Sequence, residues 1–372
     1  MDPQLRIEQL VSFGVEEEFV LVDARDRFTA PRGREVLEKV GGALAGRLTG
    51  ELYAAQVETN TNPRMSLAEL RADLAEGRQV VATAARDVGC RLVAAGSGIL
   101  TSGPPQIIDD PRYEAMVRAY PRVLSAIDSE PSGCHIHLGT LDRAEALALS
   151  AHLRPWLPVF QAIAANSPYS ANQDRGCASW RHFQQRHWHT VGPAPVLDEA
   201  GYERLVEGLI ADGTILDRRM LSWYARPSEH LPTLEIRVAD VNADLDITVL
   251  VAGLLRAMAT TLLAELRAGR CHPEVSQRQL TVAHAAAARG GLTAVLTGLG
   301  NGQETVHSAI QRAVRRSLPG LRAAGDLEHV LPLLDRLRER GSGADRQRAA
   351  QRRSGSLRDV VDEVVVRIEE PC

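Results

Sequence analysis

Two histidines set two residues apart, between glycines, in a run otherwise apolar, leave the segment GCHIHLG (133–139) one regular conformation that sorts its side chains, a β-strand. Successive strand residues face opposite ways. His135 and His137 therefore share one face, roughly 6.6 Å apart, while Cys134, Ile136 and Leu138 share the other. The same sorting holds in FGVEEEFVLV, where Glu16 and Glu18 oppose Val15, Glu17 and Phe19. It holds again in TLEIRVADV, where Glu235 and Arg237 oppose Leu234, Ile236 and Val238. Strands of parallel α/β sheets are covered on both sides and apolar throughout. These strands instead require a sheet with one polar, functional face and helices packed on the other.

Strands are expected at 12–22, 51–59, 91–95, 133–138 and 233–241, and helices at 34–45, 67–88, 144–165 and 246–268. The third helix carries Pro155 and Pro158 as interruptions. The last third reads as helical. Residues 166–195 form a long polar loop with Trp180, Phe183, Trp188, His182, His187 and His189, a composition that points to part of a site or a lid. The stretch GSGADRQRAAQRR (341–353) reads as a flexible basic connector before a last helix at 357–368. With 372 residues, 44% hydrophobic, the chain can bury one large core or two smaller ones.

A formal net charge of −4 gives no basic footprint for nucleic acid. Five cysteines without a CxxC pair argue against a disulfide framework and for a reducing cytoplasm. The first residues lack the basic and apolar regions of a signal peptide, and no uncharged apolar run approaches the roughly 20 residues that span a bilayer, so no membrane partner is expected. Lys39 is the only lysine, which excludes a GxxxxGK[ST] phosphate loop. Any ATP must be held by ions and arginines.

Each polar segment has an ordinary reading when taken alone. Glu16 and Glu18 resemble a solvated charge run. Glu51, Glu58, Asn60 and Asn62 in ELYAAQVETNTNP suit an exposed strand end and turn. The histidine pair suits a ligand site or a structural role, and Glu235 with Arg237 suits a cross-strand ion pair. Together they point elsewhere, because four or five glutamates on one sheet face cannot all stay ionised and unpaired without a heavy like-charge cost. Divalent cations remove that cost. Carboxylate oxygens suit Mg²⁺ or Mn²⁺, which bridge to phosphate oxygens, and Arg226 and Arg237 add fixed positive charge.

The stretches GVEEEF, ELYAAQVETNTNP, GCHIHLG, ANSPYSANQDRGCASWRHF, WYARPSEHLPTLEIRVADV, GADRQR and SGSLRDVV run in the order of a known family and cover almost the whole chain. In them the chain resembles the type 2 glutamate–cysteine ligases and their carboxylate–amine ligase relatives. The resemblance implies one domain over 1–372 and an α+β fold similar to glutamine synthetase. That fold is a curved, mainly antiparallel sheet forming a funnel with a polar inner face, helices outside and a helical C-terminal third. It implies a metal shell of Glu16, Glu18, Glu51, Glu58, His135 and Glu235, with Arg237 and Glu58 as catalytic residues. Ser179, Arg181, Arg226, His137 and Asn60 fall at positions that resemble substrate or ATP contacts.

The implied reaction needs ATP and Mg²⁺. A carboxylate, typically the γ-carboxylate of L-glutamate, attacks the γ-phosphate to give an acyl phosphate, and an amine such as cysteine displaces phosphate. Family members often form homo-oligomers. Two departures fall in substrate-facing loops: Tyr224 where many members carry Asp after Trp, and WHTVG (188–192) where they carry WPTAG. The alternatives are a guanidino-kinase-like phosphotransferase on the same type of fold, a zinc amidohydrolase suggested by the HxH pair, and a non-catalytic protein whose glutamates decorate a surface. His284, Trp156 and the stripes Leu250, Leu254, Ala257 and Val330, Leu334, Leu337 read as packing or a subunit contact, and Cys90, Cys134 and Cys271 as idle thiols.

Overall fold

The computed structural model describes residues 7, 9–297, 299 and 302–368. Its centre is a seven-stranded sheet of β1 (Ser12–Asp23), β2 (Leu48–Gly50), β3 (Gln56–Asn60), β4 (Cys90–Val93), β5 (Gly133–Gly139), β6 (Ala225–Pro227) and β7 (Thr233–Asp240). The order is β2-β3-β1-β5-β7-β6, every pairing is antiparallel, and β4 joins the far end of β1 where β3 lets go. Val15, Phe13, Cys134, Ile136, Leu138, Leu234, Ile236 and Val238 turn to one side, as their alternation requires, and enter the largest apolar cluster. An open sheet of this kind excludes the barrel that the zinc amidohydrolase alternative needs.

The helices that matter here are α1 (Gly33–Val40), α2 (Leu67–Asp87), α3 (Arg143–Leu153), α4 (Leu157–Ala164) and α5 (Leu245–Arg267); the side chains of Ser66, Asp142 and Asp244 accept backbone N–H groups at the starts of α2, α3 and α5. The segment 144–165 is broken as its prolines demand. α3 stops at Leu153, and α4 restarts with Pro158 in its first turn, where a missing N–H costs nothing. α2, α4 and α5 cover the apolar face of the sheet. α5 is the one described helix long and apolar enough to cross a bilayer, and 94% of its apolar window is buried inside the protein.

Three expectations are corrected. The segment 51–59 is not one strand: Glu51 sits in the turn after β2, Tyr53 bridges Ile107, and β3 starts only at Gln56. The basic stretch 341–353 is not a connector but α6 (Gly343–Ser354), begun by a reciprocal cap between Ser342 and Asp345. Its buried Ala344, Gln347 and Ala350 recur at helical spacing, which the surrounding arginines obscure. The last helix, Leu357–Glu363, ends early, and Val365 bridges Val93 at the sheet edge. Cys90, Cys134 and Cys177 are buried free thiols and Cys271 an exposed one; Cys372 lies outside the described residues.

Glu17, on the apolar side of β1, is fully buried and meets the α2 residue Arg78 through two hydrogen bonds of 2.8 and 2.5 Å, with Thr248 Oγ1 donating at 3.0 Å. Removing the cation strands a carboxylate in the core. Arg78→Met is expected to cost about 3–5 kcal/mol in urea unfolding, whereas Arg34→Met, in a surface pair with Glu38, should leave the midpoint unchanged.

Candidate active site

The other face of the sheet is polar, and the strand register gathers it. Glu16 lies opposite Asn60 on β3 and His135 on β5, Glu18 opposite Glu58, and His137 opposite Glu235, which in turn faces Arg226 on β6. Between Cys134 and Ile136 the β5–β7 register shifts, so that Arg237 and Val238 together oppose His135. The bulge sets Arg237 beside the histidine. Arg237 ion-pairs with Glu235, its Nη1 lies 3.5 Å from His135 Nδ1, and Arg226 Nε donates to Glu235 at 2.7 Å.

The histidines are held by the same carboxylates. His135 Nδ1 is 3.2 Å and His137 Nε2 3.0 Å from the two oxygens of Glu16, and His137 Nδ1 is 2.8 Å from Thr233 Oγ1. Burial works to raise the Glu16 carboxyl, yet its bonds to His135 and His137 hold it below the usual range. Burial likewise opposes ionisation of Glu235, and Arg237 and Arg226 overcome it. Glu51 feels the charge of Arg237 without a bond to it, and Glu58 has no bonded cation. Burial and the charge of Glu18 push Glu51 up to about 7, and burial with the charges of Glu51, Glu16 and Glu18 pushes Glu58 well above the carboxylate range. The face holds more carboxyl groups than its arginines and histidines can neutralise.

Two donor sets lie close enough to take a cation, Glu16 with His135 and Glu235, and Glu18 with Glu58 and His135, the donor atoms of each set within 4.8 Å of one another. One shared imidazole among carboxylates is a hard-ion donor set, and these residues fit Mg²⁺ or Mn²⁺. Glu51 comes to the same cleft from its turn.

The remaining predicted residues divide. Arg226 and Arg237 line the cleft, and His137 and Asn60 line an adjoining, more apolar groove with Pro63, Leu231 and Pro232. Ser179 is buried and its hydroxyl donates to Asp240 at 3.0 Å, away from the cleft lining. Arg181 is 2% exposed and lies against Gly133 at the end of the face, outside the cleft lining. The sequence-level reading missed Tyr53, Arg112, Tyr113, Met116 and Arg219, which wall the cleft beyond Glu51. Asp110 before Pro111 signals the start of the helix Pro111–Ala119, and Arg112 ties it to Asp217 through bonds of 3.0 and 3.1 Å, but nothing local in the sequence links that helix to the sheet. Tyr224 also lines the cleft, and so do Gln185, Trp188 and Val191 of the segment 166–195, which is not all loop but carries the short helix Trp180–Gln185, while His187 and His189 line a separate surface hollow.

Residues 12–363 match the family described as Glutamate-cysteine ligase family 2 (GCS2). A protein of Salinispora arenicola provisionally named glutamate–cysteine ligase 2 is 41% identical over 355 residues, 95% of this chain and 93% of its own. One of Saccharopolyspora erythraea, provisionally named glutamate–cysteine ligase 2-1, is 39% identical over 96% of this chain and 94% of its own. Among solved structures, glutamate–cysteine ligase from Francisella tularensis in complex with AMP superposes with a TM-score of 0.67 at 12% identity, over 96% of this chain and 88% of that one. A bifunctional glutathione synthetase from Pasteurella multocida gives 0.70 at 13% identity, this chain spanning 52% of that one. The fold is the glutamine-synthetase-like one that the resemblance implies, and the matches lend the guanidino-kinase alternative no support. The protein is an enzyme of the carboxylate–amine ligase class. Within that class, the chain belongs to glutamate–cysteine ligase family 2.

A carboxyl raised in the folded state contributes stability that is complete below its ordinary value and lost as pH rises through its folded one. Glu51 should thus weaken the cation-free protein as pH passes about 7, and added Mg²⁺ should restore the melting temperature. Calorimetry in buffers of different ionisation enthalpy is expected to show proton release on Mg²⁺ binding below about pH 7, reduced in Glu51→Gln and reduced further when Glu58→Gln is added.

Proposed function

We propose that this enzyme is an ATP- and Mg²⁺-dependent ligase that joins a carboxylate, L-glutamate foremost, to a small amine through an acyl phosphate. The observation that carries the reading is the carboxyl surplus at Glu51 and Glu58 beside two donor sets that share His135. Such a surplus is matched by divalent cations that arrive with a triphosphate. Glu16, His135 and Glu235, and Glu18, Glu58 and His135, with Glu51 nearby, are the residues to hold them. The ions would supply charge neutralisation at the transferred phosphoryl group and its leaving group.

The chain's own contribution is positioning and fixed charge. Arg237 and Arg226 are kept in place by Glu235, and their guanidinium groups meet charge that develops on equatorial phosphoryl oxygens. The apolar groove past Glu16 and His137 suits the flat base of the nucleotide, with Asn60 at its edge. The opposite end, walled by Tyr53, Tyr113, Trp188 and Arg219, suits the amino-acid substrates. Tyr224 stands in that wall at one of the two departures from the family pattern, which directs the specificity question to the amine. A cytoplasmic setting and a homo-oligomer accord with this reading.

The test is ADP release with Mg²⁺ and ATP across acids and amines, beginning with L-glutamate plus cysteine. Amine-dependent ADP release with an amide product is expected. Glu58→Ala and Arg237→Lys should each lower kcat by about 10²- to 10³-fold, the second because lysine lacks the guanidinium fork. A stable phosphorylated acceptor, or turnover indifferent to the amine, would sink the proposal.

A further inference from the structure

At the end of the polar face lies a line of buried polar side chains that the proposed chemistry does not use. It begins at Arg181, on the short helix Trp180–Gln185, whose guanidinium lies against the Gly133 end of β5 on the side that His135 faces. Arg181 Nη2 is 3.5 Å from His135 Nε2, and Nη1 donates to the Arg237 carbonyl oxygen at 3.3 Å. The passage exists because residue 133 is glycine: a Cβ there would stand 2.1 Å from Arg181 Nη2. The Gly133 N–H in turn donates to Glu18. One side chain is thus packed against two strands, β5 and β7, that present His135 and Arg237, and against the glycine whose N–H holds Glu18.

Arg181 is steadied by Asp240, the last residue of β7, 3.9 Å away. The Asp240 carboxylate accepts from the Asn166 N–H and the Ser167 and Ser179 hydroxyls at 2.8, 2.8 and 3.0 Å. Asn166 is itself fully buried, donates through Nδ2 to the carbonyls of Ala94 and Val241 at 2.8 and 2.7 Å, and accepts from Gln347 Nε2 at 2.8 Å on both its side-chain and backbone oxygens. Gln347 is fully buried on α6, which approaches so closely that a Cβ on Gly343 would lie 2.1 Å from Asn166 Oδ1. Glycines at 133 and 343 open both ends of the line. An arginine 2% exposed, with a carboxylate on one side and a ligand-bearing strand on the other, is placed to orient groups rather than to meet a ligand in the cleft.

We infer that Arg181 is a positioning residue that orients His135 and Arg237 from the Gly133 end of the inner face, and that Gln347 of α6 secures it through Asn166 and Asp240. The inference rests on the metal-dependent reading of the inner face. It makes α6, far along the chain, part of the support of the site. Outer partners of metal-binding side chains fix ring and carboxylate orientation, and their loss lowers affinity without removing a donor.

The experiment measures Mn²⁺ binding to the full chain by electron paramagnetic resonance, beside steady-state kinetics and melting temperature, for wild type, Arg181→Lys, Arg181→Met, Gln347→Met, Gln347→Ala and the exposed neighbour Arg352→Ala. Arg181→Met and Gln347→Ala are expected to weaken Mn²⁺ and lower kcat by about 10- to 100-fold, with the amine KM held within about twofold. Arg181→Lys, which keeps the buried charge, should recover part of the loss, and Arg352→Ala should match wild type. Gln347→Met keeps the side-chain volume, so it reports the lost hydrogen bonds if Gln347→Ala fails to fold. A raised substrate KM with Mn²⁺ affinity intact in the Arg181 variants would overturn the inference and return Arg181 to substrate binding. Folded Gln347 variants with wild-type Mn²⁺ affinity would also overturn it. Failure of the wild type to bind Mn²⁺ would instead strike the metal-dependent reading itself.

Discussion

Carboxylates crowded on one surface repel each other, and burial strengthens the repulsion, so whatever gathers them must also compensate them within a few ångströms. Much of the molecule can be understood from that constraint. Glu16 is compensated by two imidazoles from the neighbouring β5, and Glu235 by two guanidinium groups, Arg226 from the neighbouring β6 and Arg237 from its own strand. Glu51 and Glu58 are left over, and that excess is what the proposed divalent cations would offset. The bulge in β7, the turn that delivers Glu51 and the glycine at 133 each depart from regular sheet geometry at this face.

The fold was legible where side-chain period and environment agree. The alternation in β1, β5 and β7 foretold both faces of the sheet, and the proline pair foretold the break between α3 and α4. Glu16, Glu18, His135, His137, Glu235 and Arg237 could be read from sequence because each lies at i, i+2 spacing within one strand. Glu51 was assigned to the inner face on a strand that does not exist at that point: it arrives from a turn, a route that two-residue periodicity does not report. The cleft walls were illegible for a different reason. Arg112, Tyr113 and Met116 belong to a helix whose place depends on a long-range pair with Asp217, and no local pattern encodes such a partner.

α6 shows how composition can mislead. Four arginines among residues 341–353 suggest a solvated connector, yet the inward side of the helix is Ala344, Gln347 and Ala350, which lets its backbone approach the segment 165–166. The one polar member, Gln347, would be expensive to bury without partners, and its amide finds two acceptors on Asn166. Ordering the C-terminal helices therefore depends on a segment that also borders the strand presenting Glu235 and Arg237.

The buried pair of Glu17 and Arg78 bears on how the sheet finds its alignment. Phe13, Val15 and Phe19 mark the apolar side of β1, but the three consecutive glutamates between them do not, and a slip by one residue would exchange Glu17 for Glu16 and Glu18 in the dry layer. The guanidinium of α2 reads that ambiguity. It accepts a single carboxylate in the dry layer and has no counterpart for a second, so the slipped arrangement would bury two acidic groups against one cation. A residue that never meets a ligand thus decides which glutamates do.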